Sequence, residues 1–266
     1  MPAVGVTPNP APNPAPNPAP GLAFGWPRQA PPLVSCIMPT LNRRRFVPQA
    51  IAYFLRQDYP AKELVIIDSG TDTVADLVPD HPSITYRRAG QGKPLGTVRN
   101  LACEIASGEV ISFWDDDDWH APGRLGLQVR RLARRRADVC GATSLLYYAP
   151  DAGRAWRFTW PPGHPRWLAG QTLCFTRRAW ERTPFPPVPC GEDAAFVCLS
   201  AAAHATAAVA NDDSVIALVH EQNTAPKTER GVFCTPAPLA EVYARLGPDV
   251  SFYRPASGND PLKTGR

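Results

Sequence analysis

The chain has 266 residues, of which 44% are hydrophobic, and a formal net charge of +4. This length suffices for one large domain with a buried core, and so small a charge does not call for a nucleic-acid partner. The sequence has neither an apolar run long enough to cross a bilayer nor a secretory signal pattern, so we expect a cytoplasmic protein. Peripheral association with the inner face of a membrane is left open.

The first 32 residues differ in composition from the rest of the chain. They carry a repeated Pro-Asn-Pro-Ala unit and few residues that could build a core. We therefore expect residues 1–32 to form a disordered, polyproline-like arm or spacer. The globular domain is predicted to cover residues 33–225. A C-terminal tail, residues 226–266, follows it with a candidate short helix at residues 239–246.

Apolar runs and amphipathic segments alternate through the first half of the domain. The predicted strands are residues 34–38, 64–67, 84–87 and 109–113. The predicted helices begin at Pro48 and at Gly96. This alternation is typical of right-handed crossovers, so we predict an α/β fold: a single Rossmann-like domain whose mainly parallel central sheet is flanked by helices. Ligands of such sheets bind at the carboxyl ends of the strands.

Four successive aspartates follow the predicted strand at residues 109–113, and they occupy positions 115–118. Adjacent carboxylates repel one another unless a cation or hydrogen bonds hold them. Mg²⁺ and Mn²⁺ prefer oxygen ligands, so a divalent cation is the natural partner. A solvated acidic turn is the alternative. Because Thr40 and Asp68 end two other predicted strands, we expect these polar groups to converge.

An arginine-rich helix is predicted over residues 122–136, with Leu125, Val129 and Leu132 at helical spacing on its apolar face. We interpret its arginines as a solvated face rather than as a phosphate or nucleic-acid patch, because no aromatic residues interleave with them. No nucleic-acid partner is therefore expected. The arginines concerned are Arg130, Arg131, Arg134, Arg135 and Arg136.

The second half of the domain is less regular. Strands are predicted at residues 139–148, 171–175 and 215–219, and a loop rich in Trp, Pro and Gly at residues 150–168. This loop either covers a substrate site or forms a small satellite core. A helix is predicted to begin near Glu192 and Asp193, where the macrodipole favours carboxylates. A plain helix cap is the alternative for this acidic pair.

Five short motifs, in this order, resemble those of the family 2 glycosyltransferases, which have the GT-A fold. Each motif alone is weak evidence, but together they span about residues 33–225. The resemblance implies an inverting, metal-dependent transferase that uses a nucleotide-diphosphate sugar. The motifs are residues 37–43 (Ile-Met-Pro-Thr-Leu-Asn-Arg), 63–68 (Glu-Leu-Val-Ile-Ile-Asp), 99–100 (Arg-Asn), 113–118 (Phe-Trp-Asp-Asp-Asp-Asp) and 191–193 (Gly-Glu-Asp).

The same resemblance implies roles on the donor side. Residues expected around the nucleotide are Pro39, Thr40, Arg43, Asp68, Arg99, Asp115 and Asp116, with Asp68 on the base and Asp115 toward the ribose. The expected ligands of Mn²⁺ or Mg²⁺ are Asp117, Asp115 and His220. The four-aspartate run leaves the metal register open by one residue, so Asp116 and Asp118 are held in reserve.

On the acceptor side, the resemblance implies that Asp193, with Glu192 beside it, is the catalytic base. The base would deprotonate a hydroxyl of a glycan, a lipid-linked or a small-molecule acceptor. The family commonly has Asp-Asp-Gly-Ser where this chain has Asp-Ser-Gly-Thr at residues 68–71. This departure leaves the donor open, with a UDP-sugar favoured. A non-catalytic sugar-nucleotide or glycan-binding protein and, less favoured, an arginine-rich nucleic-acid binder are the alternatives.

Overall fold

The computed structural model describes residues 30–161, 167–210, 212–225, 227 and 232–253. Most of the predicted N-terminal arm and the last 13 residues of the chain, 254–266, lie outside the described residues. Within the described part, the longest helices have 12 residues. None of these helices has the length and hydropathy needed to span a bilayer.

Strands and helices alternate along the described chain. The strands are β1 (Val34–Thr40), β2 (Lys62–Asp68), β3 (Ile84–Arg88), β4 (Val110–Phe113), β5 (Trp119–His120), β6 (Val139–Ala142), β7 (Ser144–Ala149), β8 (Arg154–Thr159), β9 (Cys174–Thr176), β10 (Thr206–Val209), β11 (Val215–Leu218) and β12 (Cys234–Pro236). The helices are α1 (Val47–Leu55), α2 (Leu95–Ile105), α3 (Arg124–Arg135), α4 (Arg177–Arg182), α5 (Glu192–Ala203), α6 (Leu239–Leu246) and α7 (Val250–Tyr253).

The larger sheet has seven strands in the order β10-β6-β9-β4-β1-β2-β3. Strand β9 is antiparallel to both of its neighbours, and the other neighbouring strands are parallel. The predicted α/β fold with a mainly parallel central sheet is confirmed. Strand β4 is buried along its whole length, as the apolar sequence of a strand covered on both faces requires.

Helices cover both faces of the larger sheet. On one face, Phe54 of α1 and Leu125 of α3 belong to the same hydrophobic cluster as strand residues such as Met38. On the other face, Val98 of α2 and Phe196 of α5 pack with strand residues. The three layers therefore leave the edge formed by the carboxyl ends of β1 and β4 for a site.

The prediction of one sheet was incomplete, because a second sheet has the order β12-β8-β7-β11-β5. The predicted strand at residues 139–148 is two strands, β6 in the larger sheet and β7 in the smaller, separated at Thr143. The strand predicted at residues 171–175 is shifted, because a 3-10 turn occupies Gly170–Thr172 before β9.

Segments assigned to a loop and a tail also join the smaller sheet. Strand β8 lies inside the loop predicted at residues 150–168, and β12 pairs with β8 in antiparallel register. The candidate helix at Leu239–Leu246 is present as α6, and its Val242 is fully buried in the core. The described residues after position 231 therefore pack against the domain.

Phe175 on β9 provides a test of the core. Its ring lies 5.9 Å from that of Phe113 and 4.9 Å from that of Phe196, and the side chain is fully buried. We expect Phe175→Ala to lower the free energy of unfolding by about 3–5 kcal/mol, because it leaves a cavity. Urea denaturation followed by circular dichroism measures this loss. Leu199→Ala, at a side chain 53% exposed on α5, is the control and should change stability by less than about 0.5 kcal/mol.

Candidate active site

A cavity of about 350 Å³ opens at the carboxyl ends of β1 and β4, beside the N-terminus of α5. It brings together residues far apart in sequence, as expected for the edge of a parallel sheet. Asp68 and His220 do not form part of its wall. The predicted site residues that line it are Pro39, Thr40, Arg43, Arg99, Asp115, Asp116, Asp117, Asp118, Glu192 and Asp193.

Asp116 is held on its buried side by β1 and the loop that follows it. Its carboxylate accepts hydrogen bonds from Thr40 Oγ1 at 2.6 Å and from Arg43 Nη1 at 3.2 Å. Burial, followed by the negative charge of Asp117, raises the pKa of Asp116 to about 7. This aspartate is therefore a buried structural partner of Thr40 and Arg43 as much as a wall of the cavity.

Asp117 collects three donors on one oxygen. Arg43 Nη1 donates to its Oδ2, His220 Nε2 lies 3.0 Å from the same atom, and Asn223 Nδ2 donates to it at 3.2 Å. Burial opposes ionisation, but His220 and Arg43 outweigh it and lower the pKa of Asp117. Asp117 is thus held as a carboxylate.

Asp118 points away from that cluster. Its Oδ1 accepts the backbone N–H of Leu218 at 2.9 Å, which ties the aspartate run to β11. Burial and the charge of Asp117 raise the pKa of Asp118 well above its usual value. Its position at the end of β11 makes Asp118 a link between the two sheets.

Arg99 bridges the two carboxylate groups of the cavity. Its Nη2 donates to Asp115 at 3.2 Å, its Nε donates to Glu192 at 2.9 Å, and the guanidinium lies 3.7 Å from the Phe113 ring centroid. Burial raises the pKa of Glu192, and the nearby Arg99 opposes that rise. Arg99 is predicted to lie by the nucleotide, and in this structure it contacts both Asp115 and Glu192.

Asp193 lies in the first turn of α5, and its carboxylate packs over a glycine. A Cβ added to Gly170 would lie 1.9 Å from Asp193 Oδ2, so a larger residue at position 170 would require the Asp193 side chain to shift. Asp193 Oδ1 accepts the N–H of Ala194 at 2.8 Å. The structure thus brings Asp193 to the cavity opposite the aspartate run, with Glu192 turned toward Arg99.

Asp68 does not line the cavity, and its contact with a base stays a prediction. The side chain is fully buried and accepts hydrogen bonds from Gly70 N at 2.8 Å, Tyr86 OH at 2.8 Å and Val74 N at 3.1 Å. Arg88 Nη1 lies 3.3 Å from it as well. Oδ2 receives three of these donors and Oδ1 receives one, so Asp68 braces the loop after β2.

The metal ligands expected from the sequence fit an open site rather than a closed one. Within the described ranges, no three Asp, Glu, His or Cys side chains group as a metal site. Asp117 Oδ2 and His220 Nε2, however, are hydrogen-bonded at 3.0 Å, so a cation held by both side chains would replace this hydrogen bond. Asp115 is partly exposed beside them, with 21% of its side chain accessible. Two or three protein ligands suit a cation whose shell substrate phosphates complete.

Several residues of the site were not singled out from the sequence. Asn223 contacts Asp117, and the carbonyl of Gln222 accepts Arg43 Nη2 at 2.6 Å. They lie two and three residues after His220, and this polar run after an apolar strand was the available signal.

The fold and the clustered carboxylates define a protein of the GT-A glycosyltransferase class. The sequence model for the family described as Glycosyl transferase family 2 matches residues 35–182, more than half of the chain. The chain therefore belongs to family 2 of the glycosyltransferases, as its motifs predict.

One curated relative is a candidate colanic acid biosynthesis glycosyl transferase, WcaA, of Escherichia coli (strain K12). It is 38% identical over 125 residues, which is 45% of this chain and 43% of the relative. The chain spans less than half the length of the curated relatives it matches.

Two solved structures share the fold. The Staphylococcus aureus TarS 1-349 complex with UDP-GlcNAc has a TM-score of 0.60 at 18% identity, covering 72% of this chain and 60% of that one. The mannosyltransferase PcManGT from Pyrobaculum calidifontis, in complex with GDP-Man and Mn²⁺, has a TM-score of 0.55 at 20% identity, covering 74% and 59%. At this identity the likeness concerns the fold alone.

The bracing role of Asp68 predicts a pH-dependent loss of stability in Asp68→Asn. Burial opposes ionisation of this carboxyl, but its hydrogen bonds outweigh burial and lower its pKa from 3.8. The stability gained from ionisation is therefore present above pH 3.8 and is lost as the pH falls through the lowered pKa. We expect Asp68→Asn to cost about 1–3 kcal/mol at pH 7, and less below pH 3.8. Chemical denaturation across pH measures the difference, and a cost that grows on acidification would contradict this account.

Proposed function

We propose that the chain transfers a sugar from a nucleotide-diphosphate donor, with a UDP-sugar favoured, to an acceptor hydroxyl with inversion at the anomeric carbon. The observation that carries the proposal is one cavity lined by both the aspartate run after β4 and Asp193 of α5, in a family 2 chain. The donors present in the two related folds, UDP-GlcNAc and GDP-Man, support a nucleotide sugar here.

The donor nucleotide is assigned to the side of the cavity formed by β1. Pro39, Thr40 and Arg43 line this wall and would contact the nucleoside, with Asp115 toward the ribose. Thr40 and Arg43 are rigidly held because both bond to Asp116. Asp68 acts here indirectly, by bracing the loop after β2, which carries the cavity residue Ser69.

A divalent cation, Mn²⁺ or Mg²⁺, would be held by Asp117 with Asp115 and His220. When bound, it supplies positive charge that stabilises the diphosphate as the bond to the sugar breaks. Arg43 already contacts Asp117. The arginine would therefore share that carboxylate with the cation and keep it oriented.

Asp193 is assigned as the base. The acceptor oxygen attacks the anomeric carbon, its proton passes to the Asp193 carboxylate, and the electron pair of the breaking C–O bond leaves with the diphosphate. Glu192 is the weaker choice because Arg99 occupies it, at 2.9 Å. Attack from the side of Asp193, opposite the aspartate run, gives inversion.

The acceptor is assigned by class only: a glycan, lipid-linked or small-molecule hydroxyl that reaches the cavity from the side of Gly170. A binding protein without catalysis would use the same donor wall. It would not need the Asp193 carboxylate at the cavity, where it packs against Gly170.

The cation assignment predicts metal-dependent donor binding. A donor that binds only the folded state raises apparent stability, so a panel of nucleotide sugars would be screened by thermal shift with Mn²⁺ and with chelator. We expect a shift with Mn²⁺ that is lost with chelator and in Asp117→Asn. Asp138→Asn, which removes an ion pair with Arg178 outside the cavity, is the control and should keep the shift. A thermal shift with donor that survives both chelation and Asp117→Asn would contradict the cation assignment.

The base assignment predicts separate effects on chemistry and binding. Asp193→Asn should lower kcat for transfer by about 10²–10⁴-fold, since a positioned base is lost, while donor affinity changes by less than about threefold. Steady-state transfer assays and titration of the donor measure the two. Near-normal transfer by Asp193→Asn would show that the base is another group. Donor binding by the wild-type chain without any transfer would favour the binding protein.

A further inference from the structure

Arg124 in the first turn of α3 is fully buried, and its guanidinium joins two distant parts of the backbone. Nη2 donates to the carbonyl of Phe113, at the end of β4, and to the carbonyl of Gln171, both at 2.7 Å. Nη1 donates to Nδ1 of His120. The arginine thus contacts the chain just before the aspartate run and also the turn that carries Gly170.

His120 extends this connection to the aspartate run. Its Nδ1 accepts from Arg124, so the ring proton is on Nε2, which donates to the carbonyl of Asp115 at 3.0 Å. The ring is fully buried and lies 3.9 Å from the Trp114 ring between centroids. The hydrogen bonds at both ring nitrogens hold the imidazole in this orientation.

Gln128, one turn farther along α3, holds the Gly170–Thr172 turn. Its Nε2 donates to the carbonyl of Thr172 at 3.0 Å, and its Oε1 accepts Ser112 Oγ at 2.8 Å. Arg124 and Gln128 therefore bind consecutive carbonyls of the Gly170–Thr172 turn. That turn places Gly170 directly beneath the carboxylate of Asp193.

We infer that Arg124, His120 and Gln128 are positioning residues that set the separation between the aspartate run and the turn supporting Asp193. None of the three lines the cavity, so each acts through the backbone that it holds. The consequence for catalysis rests on the proposed function, because in-line attack depends on that separation. A shift of about 1 Å in such a geometry can cost about 10²-fold in rate.

A core-filling role alone does not account for these side chains. Burying a guanidinium is costly, and Nε of Arg124 has no hydrogen-bond partner among the described residues. An apolar side chain of similar volume would fill the same space without that cost. The acceptors satisfied here are main-chain carbonyls on the two sides of one cavity. Each variant should therefore loosen the particular segment whose carbonyl it releases.

Backbone hydrogen exchange of the full, ligand-free chain tests this segment by segment. His120→Phe should speed exchange in residues 114–118 alone, Gln128→Leu in residues 170–173 alone, and Arg124→Gln in both. The expected change is about tenfold, which corresponds to a lost hydrogen bond of about 1.4 kcal/mol. Arg131→Gln, which removes the ion pair with Asp212 from the same helix, is the control and should alter neither segment.

Activity supplies the second measurement. With an active donor, Arg124→Gln should lower kcat for transfer by about 10²-fold and raise donor hydrolysis relative to transfer, with donor affinity nearly unchanged. Arg124→Lys keeps the positive charge but has a single donor nitrogen, so it should recover part of the loss. A merely structural role would reduce the folded fraction without changing the ratio of hydrolysis to transfer.

The outcomes separate this inference from the proposed function. If the wild-type chain transfers no sugar, the proposed function fails and hydrogen exchange alone decides the positioning role. If Arg124→Gln does not fold, His120→Phe and Gln128→Leu still test the two halves. Exchange that stays unchanged in both segments, or a wild-type ratio of hydrolysis to transfer in an active Arg124→Gln variant, would overturn the inference.

Discussion

Mutual repulsion among the four carboxylates at residues 115–118 is the constraint on which the rest of the site depends. Three of them are buried, and buried carboxylates stay charged only where donors and cations compensate them. Arg43 compensates Asp116 and Asp117 from the β1 side, and Arg99 compensates Asp115 from the α2 side. The fold therefore has to bring these two arginines to the end of β4.

The same arginine on α2 couples the aspartate run to α5. Arg99 contacts Asp115 and Glu192 together, so α5 is held at a fixed place relative to the aspartate run. Gly96 permits this approach, because a Cβ there would lie 1.9 Å from the carbonyl of Pro186. Gly170 allows an equally close approach beneath Asp193. Electrostatic compensation and two tight contacts at glycines thus act together to bring Asp193 to the cavity that the aspartate run also lines.

The local sequence predicted where strands end, but it did not predict which groups the side chains contact at those ends. Apolar runs followed by polar residues predicted the ends of β1, β2 and β4, and hence the convergence of Thr40 with the aspartate run. The same pattern could not tell whether Asp68 faces the cavity, because its donors are Tyr86 on β3 and Val74 in a loop whose course depends on packing. His220 contacts Asp117 across 103 residues, and such a pairing came from the family resemblance rather than from any local pattern.

The second sheet and Arg124 escaped prediction for related reasons. The apolar run at residues 139–148 reads as one strand, because the change of sheet at Thr143 depends on pairing with β10 and β8 rather than on local propensity. In the sequence, Arg124 looks no different from the exposed arginines of α3. Arg124 is buried because carbonyls from two other elements meet its guanidinium.

The central claim is that the aspartate run holds a nucleotide diphosphate through a cation while Asp193 faces the sugar. A crystal structure of the chain grown with UDP and Mn²⁺ tests it most directly. The account predicts manganese anomalous density between Asp117 and the diphosphate, with the nucleoside against Pro39 and Thr40. Diphosphate density bound elsewhere, or held in this cavity by arginines with no manganese signal beside Asp117, would contradict it.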